Sequence, residues 1–212
     1  MSRRRATVEL AAVLSALGDG DGDELERRVL DAAEGLLRSS GLRRWSIDDV
    51  ADGAGVGRTS VYRRFGGRDE LVHAVLAREL RATLGAMSSA AAGASDLETK
   101  AVAAVSAALS ALDGSVVDSL LRSDPATFLP FLTTEAGPLL AIAQAAITTQ
   151  VVAFGVRPSP ELAEAAARVG LSFVLTRDTV LPVGDPAALD AAVRRLVRPF
   201  VVAFGVLPAG VG

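Results

Sequence analysis

Apolar residues recur every three to four positions along most of the chain, the spacing that places them on one face of an α-helix. The first clear case covers residues 23–40, where the pattern stops at Gly41, a residue type common just beyond a helix C-terminus. The same spacing predicts a long helix that begins near Arg68. Further helices are predicted at residues 97–112, 115–122, 125–132, 135–154, 159–179 and 186–204. Pro199 lies inside the last of these and is expected to kink it or end it at Arg198.

A different pattern between these segments predicts two short helices joined by a tight turn. Ser46 followed by Asp49 fits a capping box at the start of the first helix. Gly55-Val56-Gly57 forms the turn, and the second helix runs from Arg58 to Phe65. Two short helices joined in this way form a helix-turn-helix, whose second helix enters the major groove of DNA.

Composition agrees with a helical fold and removes several classes of chemistry. Half of the residues are hydrophobic and only 4% are aromatic, while alanine, the strongest helix former, is abundant. We therefore predict an all-α protein. The absence of cysteine excludes thiolate metal sites, thiol nucleophiles and disulfides, and the single histidine, His73, excludes a multi-histidine metal site. No nucleophile-elbow or zinc-protease motif occurs, so we expect neither an enzyme nor a bound cofactor or metal.

One stretch, residues 136–156, carries no charge and is long enough to span a bilayer. Glycine, proline, glutamine and threonine interrupt it, and no basic cluster flanks it. We interpret it as a buried core helix rather than a membrane span. The residues after Met1 contain no apolar run of signal-peptide length. The expected location is the cytoplasm, without a membrane partner.

The distribution of charge indicates nucleic acid although the net charge does not. The net charge is −3, but residues 58–68 contain four arginines and no acidic residue. A local basic patch is the feature that matters for phosphate binding. Arginine also matches the acceptor edge of guanine, and hydroxyl groups suit phosphate oxygens. The predicted DNA-contacting residues are Ser46, Arg58, Thr59, Ser60, Tyr62, Arg63, Arg64 and Arg68. A solvated basic helix pair in an interaction protein is the alternative.

The segments ERRVLDAAEGLL and SIDDVADGAGVGRTSVYRRFGGRDELVHAV, within residues 26–81, resemble the DNA-binding domain of the tetracycline-repressor (TetR) family of bacterial regulators. Tyr62 and Phe65 stand at the spacing that the family shows in its recognition helix. The chain departs from the family pattern at Gly57, where serine or threonine often caps this helix and touches phosphate. It also departs at Arg64, a position that is often aromatic.

The resemblance implies a larger helical domain that dimerises through its last two long helices and encloses a small-molecule pocket. We accordingly divide the chain into a flexible tail at 1–22, a helix-turn-helix DNA-binding domain at 23–68, and a ligand-binding and dimerisation domain at 69–212. The predicted dimer contacts are Leu162, Ala166, Val169, Phe173, Leu189, Val193, Leu196 and Phe200. The predicted pocket residues are Leu121, Phe128, Phe131, Leu132, Leu139, Ile142, Gln144, Thr148 and Val151.

The expected function is that of a sequence-specific, DNA-binding transcriptional regulator. The resemblance implies a repressor that a small, mostly apolar ligand releases from a double-stranded DNA operator. We expect a homodimer, because one recognition helix makes too few base and phosphate contacts on its own. The alternative is a DNA-binding regulator that is controlled by a partner protein or that has no ligand.

Overall fold

The computed structural model describes residues 9–16, 22–176 and 178–205, and within these ranges every regular element is an α-helix. This confirms the predicted all-α fold. In chain order the helices are α1 (Leu10–Ala16), α2 (Glu24–Ser40), α3 (Ile47–Ala54), α4 (Arg58–Phe65), α5 (Arg68–Ala91), α6 (Leu97–Leu112), α7 (Val116–Ser123), α8 (Pro125–Leu132), α9 (Gly137–Ala153), α10 (Pro160–Leu175) and α11 (Pro186–Ala203).

Two helix ends differ from the prediction. Helix α10 stops at Leu175 because Thr176 already has an extended backbone. Helix α11 does not end at Arg198 but continues through Pro199 to Ala203. Val193 and Val201, on either side of the proline, are 0% and 3% exposed. Burial on both sides offsets the backbone hydrogen bond that proline removes.

Part of the predicted tail is an ordered helix. Helix α1 buries Val13, and both of its ends are held by α5. The backbone N–H of Glu9 donates to Nε2 of His73 over 2.9 Å, and Arg81 donates to the carbonyl of Ala16 over 2.6 Å. Within the segment predicted as a tail, residues 10–16 thus form a helix, and the division of the chain at residue 22 stays a prediction. The rest of the tail, residues 1–8 and 17–21, lies outside the described residues.

The chain forms two units, of which unit 1 spans Met1–Ala82 and Gly114–Thr134 and unit 2 spans Thr83–Asp113 and Glu135–Gly212. In unit 1, α2 packs against α3 and α7, α3 packs against α4, and α7 packs against α8. Its largest fully buried side chains include Leu37, Leu42, Trp45, Val61, Leu71 and Leu120. Helices α7 and α8 thus share a unit with the helix-turn-helix. The functional boundary at residue 68 stays a prediction.

In unit 2, α6 packs along α11, and α10 packs mainly against α9. The core of this unit is a cluster of four buried residues, Val102, Leu109, Leu189 and Val193, with Val105, Phe173, Leu181, Val183 and Val197 packed around it. At its edge, Arg194 donates to Oε1 of Glu98 over 2.9 Å and so ties α11 to α6.

The uncharged helix α9 is not the buried core helix that its composition predicted. Val151 is its one buried residue, whereas Ile142 on the same helix is 44% exposed. The helix packs chiefly on α10, so most of its circumference has no covering element within unit 2. Within the described ranges, no single helix is both long and apolar enough to cross a membrane. Two pairs of consecutive helices reach that length and composition only when each pair is counted together.

Candidate DNA interface

The start of α3 and the turn after it are set by capping residues close in sequence. Ser46 caps α3: the backbone N–H of Asp49 donates to Oγ of Ser46 over 3.3 Å, and the backbone N–H of Ser46 donates to Oδ2 of Asp49 over 2.6 Å, which completes the capping box. Gly55 ends α3 in the left-handed conformation, with φ of 62° and ψ of 41°. Arg28 of α2 donates to the carbonyl oxygens of Ala54 and Gly55 and so ties the end of α3 to α2. The turn that joins α3 to α4 is therefore held by a side chain of α2.

Helix α4 has an inner face that packs and an outer face that is open to solvent. Val61 is 0% exposed and anchors the inner face, with Phe65 half-buried beside it. Arg58, Thr59 and Arg63 are exposed, and Tyr62 is 40% exposed. Ser60 is half-buried. The outer face thus presents two guanidinium groups and two hydroxyl groups, which are donors that suit phosphate and base edges.

Arg58 and Tyr62 are arranged as a pair. The guanidinium group of Arg58 lies 5.3 Å from the centre of the Tyr62 ring, and its Nη2 is 3.4 Å from the phenolic oxygen. Nη1 of Arg58 donates to Oδ2 of Asp48 over 3.1 Å. The hydrogen bond to Tyr62 and the charge of Asp48 raise the pKa of Arg58 above its ordinary value, so this residue stays cationic. Both members of the Asp48 ion pair are more than half exposed, and such pairs contribute little to stability.

Arg63 is exposed and makes no hydrogen bond or ion pair with the part of the chain that the structure describes. It stands one residue after Tyr62, near the C-terminal end of α4. Among the predicted residues, Arg58, Thr59, Tyr62 and Arg63 are therefore brought together on one outward surface, which we call the α4 outer face.

Three of the predicted DNA contacts are instead engaged within the protein. Nε of Arg64 donates to Oε2 of Glu26 on α2 over 2.7 Å. The guanidinium group of Arg68 lies 4.2 Å from the Trp45 ring centre, and its Nη2 donates to the carbonyl of Leu42 over 2.8 Å. The hydroxyl of Ser46 belongs to the capping box. The partners of Arg64 and Arg68 are remote in sequence, so local spacing could not predict them. Local spacing also did not predict that Asp48 would hold Arg58.

The predicted pocket residues fall on both units. Leu121, Phe128, Phe131 and Leu132 belong to α7 and α8 of unit 1, where the rings of Phe128 and Phe131 meet edge to face at 6.1 Å. The others, Leu139, Ile142, Gln144, Thr148 and Val151, lie on α9 of unit 2. Val151 is buried, Ile142 is exposed, and Leu139, Gln144 and Thr148 are half-buried. That these residues share one cavity stays a prediction.

The predicted dimer contacts divide into core and surface. Leu189 and Val193 are 1% and 0% exposed and form the core of unit 2, against which Phe173 also packs. Leu189 and Val193 have no surface left for a partner, which corrects their assignment to an interface. Val169 and Leu196 are 42% and 40% exposed. The remaining three, Leu162, Ala166 and Phe200, are half-buried.

Residues 29–75, which contain the α3–turn–α4 unit, match the family of bacterial regulatory proteins known as the tetR family. The chain thus carries a domain of the tetR family. Its N-terminal helix-turn-helix is therefore a DNA-binding domain of the TetR type, as the resemblance in the sequence implied. This family consists of DNA-binding regulators of transcription rather than enzymes. Among curated proteins, none matches the sequence at a significant level.

The fold is similar to those of several solved TetR-type structures. AlkX from Dietzia sp., a repressor implicated in biodegradation of n-alkanes, has 22% identity and a TM-score of 0.59, over 84% of this chain and 97% of that one. A TetR-like regulator from Rhodococcus sp. has 16% identity and a TM-score of 0.53, over 87% and 99% of the two chains. The repressor QsdR from R. erythropolis has 21% identity and a TM-score of 0.50, over 91% and 100%. At these identities the likeness concerns the fold.

Proposed function

We propose that this TetR-family regulator is a repressor that reads a double-stranded DNA operator with the α4 outer face. The observation that carries the proposal is the arrangement of α4, whose inner side is anchored by Val61 while Arg58, Thr59, Tyr62 and Arg63 face outward. Arg63, without a partner among the described residues, suits the O6 and N7 acceptors of guanine. The paired Arg58 and Tyr62 suit phosphate oxygens. A regulator of this kind works in the bacterial cytoplasm, where the chromosome lies.

The operator is bound by a homodimer in this proposal. Two copies of α4 on a two-fold axis read two half-sites and double the number of phosphates neutralised. The exposed apolar side chains of Val169 on α10 and Leu196 on α11 support a partner surface on these helices. A two-fold interface places the same patch on both subunits, so each exposed side chain is used twice.

Release from DNA is assigned to a small, mostly apolar ligand. The absence of charged residues on α8 and α9 supports an apolar ligand, as does the aromatic pair Phe128 and Phe131. The association of the similar repressor AlkX with n-alkane degradation is in keeping with this class. Such a ligand must bind better to a conformation that fits DNA poorly, and DNA must then weaken ligand binding by the same factor. The second candidate is a regulator that responds to a partner protein or to no ligand.

The DNA assignment is tested by selecting bound sequences from a random duplex library with the full chain. We expect a near-palindromic consensus. Arg63→Ala is expected to lose about 1–3 kcal/mol on the selected duplex and to relax one base position in each half-site. Arg157→Ala, which removes an exposed arginine of unit 2, is the control and should bind as the wild type does. Failure of the wild type to select any sequence would contradict the proposal, and equal weakening on all duplexes would assign Arg63 to phosphate.

The ligand assignment is tested by thermal unfolding in the presence of linear alkanes and medium-chain fatty acids. A compound that binds the native state raises the melting temperature. A true effector must in addition weaken binding to the selected duplex. A protein that binds DNA but responds to none of these compounds in either assay would favour the second candidate.

A further inference from the structure

The turn between α2 and α3 is held from two sides at a single residue, Leu42. Its backbone N–H donates to Oδ2 of Asp124 over 2.8 Å, and its carbonyl accepts from Nη2 of Arg68 over 2.8 Å. Leu42 is 0% exposed. Asp124 stands at the junction of α7 and α8, and Arg68 is the first residue of α5. Two helical segments that are remote in sequence therefore meet at the two backbone groups of one residue.

The contact with Asp124 is close and specific. Asp124 is 4% exposed, and its second oxygen, Oδ1, accepts from Nε of Arg43 over 2.9 Å. Gly41 has a positive φ of 61°, and a Cβ at this position would lie 2.6 Å from Oδ2 of Asp124. Glycine at residue 41 is thus what lets the α7–α8 junction approach the turn. A carboxylate that is buried and accepts hydrogen bonds from two donors makes a specific structural contact, unlike an incidental contact at the surface.

On the other side of the turn, Arg68 is seated on Trp45. Trp45 is 1% exposed, and its indole N–H donates to the carbonyl of Gly41 over 2.9 Å. The guanidinium group of Arg68 lies over the same ring. Ser46, the capping residue of α3, follows Trp45 directly. The first helix of the helix-turn-helix therefore begins next to the residues that Asp124 and Arg68 hold.

Helix α7 is also fixed at its beginning. Oε1 of Glu79 on α5 accepts from the backbone N–H of Val116 over 2.9 Å, and Arg38 of α2 donates to the carbonyl of Gly114 over 2.6 Å. With Asp124 at its other end, α7 is held by α2 and α5 at one end and by the turn at the other. A displacement of α7 and α8 must consequently either break the bonds of Asp124 or move the turn with it.

We propose that Leu42 is the point through which the position of α7 and α8 sets the orientation of α3 and α4, and hence the affinity for DNA. Asp124 and Arg68 are positioning residues in this scheme, and neither contacts DNA. The inference rests on the proposed function, because it uses DNA affinity as its readout.

Asp124→Ala tests the side of the turn that faces α7 and α8. It removes both acceptors and is expected to weaken binding to the selected duplex about ten-fold, the change that corresponds to 1.4 kcal/mol. Arg43→Ala removes the exposed partner of Asp124 but keeps its bond to Leu42, so it should lower stability while the folded protein binds as the wild type does. Asp118→Ala removes another buried carboxylate of α7, which bonds to Arg122 on its own helix, and should lower stability without changing the affinity of the folded protein. Wild-type affinity in a folded Asp124→Ala protein would overturn the inference.

Arg68→Met tests the other side and does not depend on the Asp124 variant being folded. A phosphate contact would lower the slope of log affinity against log salt by about 1 for each protomer. A positioning residue lowers affinity on every duplex and leaves that slope unchanged, which is the expected result. A reduced slope, or unchanged affinity, would contradict the assignment. If the wild type itself binds no duplex, the proposed function fails; if it binds and these variants do not differ from it, only this inference fails.

Discussion

Replacing Gly57 by serine should stabilise unit 1, and replacing it by alanine should not. Gly57 is the capping residue of α4, with an extended backbone at φ −73° and ψ 140°, and it has no side chain to bond the free N–H groups of the first turn. A Cβ added there meets no atom within 4 Å. A serine hydroxyl can therefore reach the backbone N–H of the second or third helical residue without a clash.

The magnitude follows from the preferences of the capping position. Serine exceeds glycine there by a few tenths of a kcal/mol and exceeds alanine by about 1 kcal/mol. Stability should therefore fall in the order Gly57→Ser, wild type, Gly57→Ala. The unfolded chain has less conformational entropy with alanine than with glycine, and this effect acts in the opposite direction. On its own it would make the Gly57→Ala variant more stable than the wild type by about 0.4–1 kcal/mol. The sign of the alanine result thus separates capping from chain entropy.

Urea unfolding followed by tryptophan fluorescence measures this order. Trp45 is the only tryptophan of the chain and is 1% exposed in the same unit as α4, so its emission reports the unfolding of that unit. Midpoints compared at a common slope give the differences directly. On the selected duplex, only Gly57→Ser should tighten binding, because its hydroxyl can accept from the backbone and donate to a phosphate. An alanine variant as stable as the serine variant would refute the reasoning.

Three further results are expected. Ser46→Ala breaks the capping box of α3 and should lower the free energy of unfolding by about 1 kcal/mol in the same assay. An unchanged free energy of unfolding would contradict a stabilising role for the box. Burial raises the pKa of Glu79 above the 4.5 of an ordinary glutamate; the native state then keeps a proton that the unfolded chain releases, so stability falls as pH rises from 4.5 to the raised pKa of the native state. Glu79→Gln should lack that fall, and parallel pH profiles of variant and wild type would contradict this. Leu196→Glu places a charge on the proposed dimer surface and should yield a folded monomer in sedimentation analysis, whereas a dimer would move the interface elsewhere.

The helix-turn-helix could be predicted from the sequence because its signals are local. Ser46 and Asp49 are three residues apart, and the glycine that ends α3 stands directly after it. The segment VVAFG, which occurs at residues 151–155 and again at 201–205, behaves in the same way. It ends α9 and α11 with Gly155 and Gly205 at positive φ, a conformation common just beyond a helix C-terminus. Such interactions are decided within one or two turns of backbone, so no knowledge of the packed structure is needed.

The division of apolar side chains between core and surface could not be predicted in this way. Periodicity shows that a helix has an apolar side, but it does not show which element covers it. On α11, Leu189, Val193 and Val197 are four residues apart and pack toward α6. Leu196 directly precedes Val197 in the chain, does not belong to this row, and is 40% exposed. From the sequence, the row and Leu196 are predicted to share one apolar face of α11. In the structure the row packs in the core, whereas Leu196 is open to solvent.

The acidic partners of the α4 arginines indicate which of these arginines we expect to contact DNA. Arg64 is held by Glu26, whose side chain is only 12% exposed. Moving Arg64 to a phosphate would leave that carboxylate nearly buried and without its cation, which is costly. Asp48, the partner of Arg58, is 57% exposed, so water can replace the arginine at little cost. We therefore expect burial of the acidic partner, rather than exposure of the arginine itself, to distinguish Arg58, which can turn to DNA, from Arg64, which stays with the protein.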